Sequence, residues 1–334
     1  MTTFDLITLG RVGLDLFSEQ VGVAFEQVES FSTSVGGSPT NIATAGSRLG
    51  LKTAVLTGVG EDKVADFVRA YLAKEKVATQ FVLTKPSGRT GLAVVGVQPP
   101  EHFPLTFYRE NPADVLIEID DVLNVPIAEA RALLISGTAL AQAPCRDATL
   151  FAAERANRSG VPVFLDLDLR PNQWHDPRAY GVNLRALLPL IDTVIGTEEE
   201  SFATLLENLN DAGSTVIQTL NRGQKEDLET YLPRYLESTA RPTTWLLKRG
   251  AEGVSIFESE GEPITVLGFE ADVVNTVGAG DAFAGGLVYG FLQGWGWDES
   301  ARFANACGAM VVSRHGCASA MPTLDEVEAL LAGR

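Results

Sequence analysis

Cysteine is scarce in this 334-residue sequence, which contains only Cys145, Cys307 and Cys317. Their number is odd, and neither a CxxC pair nor the Cys/His spacing of a zinc module is present. This pattern argues against a disulfide-stapled scaffold and against a zinc finger. It favours a reduced compartment, so we expect a cytoplasmic protein.

Histidine is equally scarce, with only His102, His175 and His315. A histidine-based catalytic triad therefore has little support. The sequence also lacks the GxxxxGK[ST] phosphate loop, the protein-kinase motifs, the GxSxG elbow and the HExxH motif. These absences argue against P-loop NTPases, protein kinases, α/β-hydrolases and HExxH metalloproteases.

Positively charged residues are few, since the sequence contains 26 Lys and Arg but 43 Asp and Glu, which gives a formal net charge of −17. Such a field repels nucleic acid and anionic membranes, so we expect neither as a partner. No apolar run is long enough to span a membrane, and residues 1–5 lack a basic region followed by a long apolar run, so we expect neither a membrane span nor a signal peptide. An acidic substrate would need arginines close to it to overcome this field.

The most informative stretch present is residues 275–281 (Asn-Thr-Val-Gly-Ala-Gly-Asp), which follow an apolar segment and open a helix-like run. Helix N-termini have unpaired N–H groups and partial positive charge. Gly278, Ala279 and Gly280 would let an anion approach that backbone, and Asp281 would place a base beside it. This arrangement suits phosphoryl transfer to an alcohol. A plain tight turn, with Asp281 only favouring the helix dipole, fits these seven residues as well.

A second glycine-rich stretch, residues 36–41 (Gly-Gly-Ser-Pro-Thr-Asn), opens another helix with Pro39 in its first turn. The Asn41 amide could hold a polyol hydroxyl or only satisfy neighbouring backbone. Asp15 follows the first predicted strand, at the sheet edge where ligands bind in open α/β proteins. It could equally be a turn or cap carboxylate.

Apolar segments such as 4–9, 53–59 and 161–167 alternate with helical patterns along the chain. This alternation predicts an α/β fold with right-handed crossovers and a mainly parallel sheet. Residues 201–240 look largely helical and polar.

Two stretches have a sequence pattern that differs from this strand–helix alternation. Residues 12–35 alternate weakly, and residues 88–113 contain a hairpin pattern with a long loop. We assign both to a small β-sheet subdomain that would cover the core as a lid. Residues 1–11, 36–87 and 114–334 make up the predicted nucleotide- and substrate-binding core.

The two glycine-rich signatures, about 240 residues apart and in this order, resemble those of the ribokinase-like (PfkB) carbohydrate kinases. The resemblance runs from Gly10 to Pro322. It implies a three-layer α/β/α core with a mainly parallel sheet and a small β-sheet lid, through which many relatives form homo-oligomers.

The resemblance also implies roles for single residues. Asp281 would be the catalytic base, and Gly278, Ala279 and Gly280 would form the anion hole. The positions that match substrate-hydroxyl contacts are Asp15, Gly36, Gly37 and Asn41. The positions that match ATP contacts are Thr197, Lys248, Gly250, Gly253, Gly278, Gly280 and Asn305.

The cofactors implied are ATP and Mg²⁺, with Glu200 organising Mg²⁺ through water. Thr197 replaces the asparagine of the family's Asn-x-x-Glu motif. The family often binds a monovalent cation such as K⁺ beside the anion hole, but Asn275 stands where an aspartate is frequent. The need for K⁺ therefore stays open.

Further details are similar to the kinases of 5-dehydro-2-deoxygluconate in myo-inositol catabolism. They are residues 107–109 (Phe-Tyr-Arg), 136–140 (Ser-Gly-Thr-Ala-Leu), 166–171 with Trp174, and 315–322. A substrate carboxylate needs a planar fork of donors, which arginine supplies. Tyr108, Arg109 and Arg170 would contact this acid, with Arg11 as a third arginine candidate, and its C6 hydroxyl would accept the phosphoryl group. Alternatively, Arg109 and Arg170 could form surface ion pairs or turns.

Other functions stay open. The nearest alternatives are a 2-keto-3-deoxygluconate kinase and a kinase of neutral sugars, such as fructokinase or ribokinase. A silent sugar- or nucleotide-binding regulator belongs to a different class, and the intact Asp281 and glycine turn argue against it.

Overall fold

A computed structural model of the chain describes residues 3–99, 103–205 and 228–333. Thirteen strands lie in these residues. In chain order they are β1 (Phe4–Leu9), β2 (Gly13–Ser18), β3 (Phe31–Gly36), β4 (Thr53–Val59), β5 (Val82–Thr84), β6 (Gly91–Val95), β7 (Leu105–Tyr108), β8 (Ala130–Ser136), β9 (Val163–Asp166), β10 (Thr193–Thr197), β11 (Thr244–Lys248), β12 (Val254–Phe257) and β13 (Ile264–Val266).

The same described residues contain ten α-helices. In chain order they are α1 (Ser38–Arg48), α2 (Lys63–Lys74), α3 (Ile119–Leu123), α4 (Cys145–Arg158), α5 (Arg178–Leu187), α6 (Glu198–Leu205), α7 (Leu228–Ser238), α8 (Ala279–Gln293), α9 (Trp297–Val312) and α10 (Leu324–Ala332). No described helix is both long and apolar enough to cross a bilayer.

Nine strands form one sheet in the order β13-β12-β11-β10-β9-β8-β1-β4-β5. All neighbours are parallel from β11 to β5, whereas β12 and β13 are antiparallel additions at one edge. Strand β1 is an interior strand, since Leu9 pairs with Leu56 on one side and Ile135 on the other. The predicted mainly parallel α/β sheet is confirmed.

Helices cover both faces of this sheet. Successive residues of β8 alternate, so that Leu133 and Ile135 join one apolar cluster and Ala132 and Leu134 join another. The first cluster contains residues of α4 and α5, and the second contains residues of α1, α8 and α9. Strands buried on both faces read as continuous apolar runs, which is the pattern in the sequence.

The other four strands form a separate sheet in the order β3-β2-β6-β7. Strands β6 and β7 form the predicted hairpin, with Val95 opposite Leu105. All four strands lie in the two stretches assigned to the small subdomain, except that β3 extends to Gly36. The domain boundaries and the role of this sheet as a lid stay predictions.

Three local expectations need comment. Asp15 does not follow the first strand as a loop residue but lies within β2, because the chain passes directly from the large sheet into the small one. Residues 81–83 also have a strand-like pattern in the sequence, and the strand in the structure spans Val82–Thr84. Much of the region expected to be helical, residues 206–227, lies outside the described residues.

Candidate active site

A pocket of about 270 Å³ contains most of the residues that the sequence singled out. The predicted residues in its lining are Asp15, Gly37, Asn41, Arg170, Thr197, Glu200, Lys248, Gly278, Gly280 and Asp281. Arg11, the third arginine candidate, lines it too. The pocket draws on the carboxyl ends of β9, β10 and β11, on β2 and on the start of α8. This is the sheet edge at which open α/β folds bind ligands.

The start of α8 forms one wall of the pocket. Gly278 is the N-cap residue, with φ 90° and ψ −6°, a left-handed conformation that favours glycine. A Cβ atom on Gly278 would lie 2.5 Å from Cys317 Sγ. A Cβ atom on Gly280 would meet only Lys248 Nζ, at 3.1 Å. The helix N-terminus and the ammonium group together make this wall attractive to an anion.

Asp281, in the first turn of α8, is the carboxylate beside this wall. Burial raises its pKa to about 6, and the charge of Asp168 adds to this effect. Asn41 Nδ2 donates to Asp281 Oδ2 at 2.6 Å and so lowers that pKa in part. Asn41 Oδ1 is buried and has no hydrogen-bond partner among the described residues, so it could accept from a ligand hydroxyl.

Two arginines and one aspartate form a corner of the pocket. Arg170 Nη2 lies 3.0 Å from Asp168 Oδ1, and Arg11 Nη2 lies 3.4 Å from Asp168 Oδ2. Burial opposes the charged form of Asp168, but Arg170 and Arg11 outweigh it and lower the pKa of Asp168 to about 2. Arg11 also lies over the Phe107 ring, 5.5 Å from its centre. Asp15 faces both arginines, and its burial nevertheless raises its pKa to about 6.

A further ion pair joins the carboxyl ends of β9 and β11, which lie on either side of β10 in the sheet. Lys248 Nζ, at the end of β11, lies 3.6 Å from Asp166 Oδ1, at the end of β9. The Ser38 hydroxyl donates to the other oxygen of Asp166. Burial raises the pKa of Asp166 to about 7, although Lys248 acts in the opposite direction.

Glu200 is held in place by backbone groups. Thr197 N donates to Glu200 Oε2 at 2.8 Å and Leu169 N donates to Glu200 Oε1 at 3.2 Å. Glu200 N in turn donates to Thr197 Oγ1 at 3.2 Å, which completes a capping box at the start of α6. No group of three or more His, Cys, Asp or Glu in the described part of the chain could hold a metal ion alone.

The family model of the pfkB family carbohydrate kinases matches residues 4–324 of this chain. The chain belongs to this family. The 5-dehydro-2-deoxygluconokinase of Geobacillus thermodenitrificans is 34% identical over 325 residues, which are 97% of this chain and 92% of the relative. The 5-dehydro-2-deoxygluconokinase 1 of Bacillus cereus is 34% identical over 329 residues, covering 98% and 95% of the two chains.

Solved structures show the same ribokinase-like fold. A putative ribokinase II from E. coli, in complex with ATP and Mg²⁺, has a TM-score of 0.83 and 22% identity over 99% of both chains. A fructokinase from Vibrio cholerae, with fructose, ADP and calcium bound, has a TM-score of 0.78 and 25% identity over 98% of this chain and 99% of its own. As a member of the pfkB family, this chain is a carbohydrate kinase.

Three residues predicted to touch the kinase substrate, Arg109, Tyr108 and Gly36, lie outside the pocket lining. Arg109 forms a bidentate ion pair with Asp114, with an Nη1–Oδ2 distance of 2.9 Å and an Nη2–Oδ1 distance of 2.7 Å. Both guanidinium NH₂ groups are therefore already engaged. Tyr108 points to solvent, with 63% of its surface exposed. Gly36 is also outside the lining, but a Cβ atom there would clash with the Asp15 carboxylate, so this glycine leaves room for Asp15.

The predicted ATP contacts Gly250, Gly253 and Asn305 form a separate group outside the pocket lining. Asn305 Nδ2 donates to the carbonyl oxygens of Val266 and Leu267, both at 3.1 Å. Gly253 packs against the carbonyl oxygen of Val266, where a Cβ atom would clash. The ATP-binding role of these three residues stays a prediction.

Asn275, at the position relevant to a monovalent cation, makes two hydrogen bonds. Its Nδ2 donates to the Gly316 carbonyl at 2.8 Å, and its Oδ1 accepts from Val277 N at 3.0 Å. The need for K⁺ stays untested.

Several lining residues had no role assigned from the sequence. Asp166 pairs with Lys248, and Asp168 pairs with Arg170 and Arg11. Cys317 packs against Gly278 and accepts from Asn41 Nδ2 at 3.0 Å. The signal for the two aspartates was present: two carboxylates directly follow a continuous apolar strand, at the edge where ligands bind.

Proposed function

We propose that this kinase transfers the γ-phosphoryl group of ATP to the C6 hydroxyl of 5-dehydro-2-deoxy-D-gluconate, giving the 6-phosphate and ADP. The names of the most similar curated relatives support this substrate. The structural observation that carries it is the corner in which Arg11 and Arg170 share one carboxylate, Asp168. The N–H donors of these two guanidinium groups that Asp168 does not engage could bind a substrate carboxylate.

In this proposal Asp281 removes the proton from the attacking hydroxyl. Its buried position at the start of α8 supports this role, since a base with a pKa near 6 is ionised at neutral pH. Asn41 orients the Asp281 carboxylate and offers its free Oδ1 to a sugar hydroxyl. Asp15 and Gly37 line the same side of the pocket and would bind the other hydroxyls.

The backbone of residues 278–280 would hold the transferred phosphoryl group as an anion hole. Lys248 would add a positive charge at the same place, because its ammonium group lies beside Gly280. Phosphoryl transfer depends mainly on such positioning and charge stabilisation.

The residues present also fit Mg²⁺ and ATP. Mg²⁺ in kinases is bound by one or two carboxylates together with phosphate and water, rather than by an all-protein cage. Glu200, fixed by two backbone donors at the pocket, meets this requirement and would hold Mg²⁺ through water. When bound, Mg²⁺ neutralises charge on the phosphates. Thr197 lines the pocket next to Glu200 and would contact the nucleotide.

An ADP-release assay over a small panel of substrates tests this function. The panel contains 5-dehydro-2-deoxygluconate, 2-keto-3-deoxygluconate, fructose and ribose. We expect the highest kcat/KM with 5-dehydro-2-deoxygluconate. A preference for 2-keto-3-deoxygluconate would mean that the substrate is a different sugar acid, still bound by Arg11 and Arg170. A preference for fructose or ribose would contradict an acid substrate. No turnover with any of them would favour a silent binding protein.

A further inference from the structure

The Asp168 carboxylate has hydrogen-bond partners besides the two arginines. Its Oδ1 accepts from Arg170, while its Oδ2 accepts from Ser136 Oγ at 3.1 Å and Thr138 Oγ1 at 3.3 Å and faces Arg11. The side chain is 2% exposed, so neither oxygen depends on solvent.

The backbone at Asp168 is also unusual. Its φ of 38° lies in the left-handed region, which few residues other than glycine adopt. Such strain persists where the surrounding structure enforces it, and it clusters at functional sites. Here the turn directs the carboxylate between the two guanidinium groups rather than along the strand.

We propose that Asp168 is the positioning residue of the carboxylate corner, holding Arg11 and Arg170 side by side so that both can face one substrate carboxylate. This inference rests on the proposed function, because it presupposes an acidic substrate. Asp168 does not touch the substrate. It fixes two long side chains whose freedom the substrate would otherwise have to restrict on binding.

The geometry favours this role over a competing one. A carboxylate that only blocked the arginines would be displaced by the substrate and would need an alternative position. Asp168 is instead fixed by Ser136 and Thr138, which do not depend on the arginines. It therefore stays in place while the arginines present their remaining donors to the pocket.

Titration calorimetry without ATP tests the proposal. It compares the Kd of 5-dehydro-2-deoxygluconate with the Kd of an analogue in which a primary alcohol replaces the carboxylate. We expect Asp168→Asn to weaken binding of the acid at least tenfold and binding of the alcohol less than twofold. The amide keeps the shape but turns an NH₂ group towards one arginine.

Asp114→Asn is the matched control, because it breaks an equally buried Arg–Asp pair outside the pocket. It should change the Kd of the acid less than twofold, even if the melting temperature falls. The triple variant with Arg11→Ala, Arg170→Ala and Asp168→Asn should bind the acid as well as the double arginine variant does. Asp168 acts on binding only by positioning the two arginines, so its substitution has no further effect once they are gone.

The binding results distinguish the proposed acid substrate from the positioning role of Asp168. If the wild-type protein binds the acid and the alcohol equally, both the proposed function and this inference fail. If the wild type prefers the acid and Asp168→Asn preserves that preference, only this inference fails. Tighter binding of the acid by Asp168→Asn would show that Asp168 competes with the substrate, and equal weakening of both ligands would show a merely structural role.

Discussion

Asn41 Nδ2 lies 2.6 Å from Asp281 Oδ2, so two residues 240 positions apart in the sequence share a hydrogen bond in the pocket. Each belongs to one of the two glycine-rich signatures, at the starts of α1 and α8. The bond stabilises the charged form of Asp281, the form that a general base needs. The two signatures therefore act on one chemical group.

This bond predicts the pH dependence of the reaction. Asp281 has a pKa of about 6, and protonation removes the base, so kcat/KM should fall about tenfold per pH unit below pH 6. Asn41→Ala removes a group that lowers this pKa, so the acidic limb should move to higher pH. Profiles of kcat/KM between pH 5 and 9 measure both effects. A limb that stays in place or moves to lower pH in Asn41→Ala would contradict the assignment.

The geometry of the anion hole predicts different stability effects for alanine substitutions at Gly278 and Gly280. Gly278→Ala should lower the free energy of unfolding by at least about 1–2 kcal/mol, because of its left-handed backbone and the contact with Cys317. Gly280→Ala should leave stability unchanged or raise it by up to about 1 kcal/mol, since alanine is the better helix former.

Both glycine variants should nevertheless lose most of their kcat, because each methyl group disturbs the place of the phosphoryl group. Denaturant melts and steady-state kinetics on the same preparations check this pair of effects. Full activity in a stable Gly280→Ala variant would mean that this helix start does not hold the phosphoryl group.

The arginine corner predicts a difference between Arg170 and Arg109. Arg170→Ala should lower kcat/KM for acid substrates about tenfold to a hundredfold, consistent with loss of a charge-assisted contact of about 1.5–3 kcal/mol, and should affect neutral sugars much less. Arg109→Ala should mainly lower the melting temperature, because it leaves the buried Asp114 carboxylate unpaired. The reverse ranking for the acid would place the carboxylate at Arg109 instead.

The metal proposal predicts that Glu200→Gln raises the Mg²⁺ concentration needed for half-maximal activity by about tenfold to a hundredfold, as expected for a ligand acting through water. Excess Mg²⁺ should restore much of the rate. Titrations of Mg²⁺ at saturating ATP and sugar acid provide the measurement, with Glu199→Gln as the neighbouring control. An unchanged Mg²⁺ requirement in Glu200→Gln would remove Glu200 from the metal site.

Features encoded by short local patterns were predictable from the sequence. The α8 start and the hairpin of the small sheet each depend on residues close together in the chain. The parallel sheet was predictable from the alternation of apolar and helical patterns, and all three features are confirmed. Arg109 forms an ion pair, which the sequence allowed as the alternative to substrate contact, but the pair with Asp114 is buried and not on the surface. The joint role of Arg11 and Arg170 around Asp168 depends on residues more than 150 positions apart, which no local pattern reveals.

The most direct test of the central claim is NMR analysis of the product formed from 5-dehydro-2-deoxygluconate and ATP by the wild type and by Asp281→Asn. The account predicts a phosphorus–carbon coupling at C6 for the wild type. It also predicts a rate for folded Asp281→Asn that is lower by about two to four orders of magnitude, the usual contribution of a general base. Phosphate on another carbon, or a near-wild-type rate for Asp281→Asn, would contradict it.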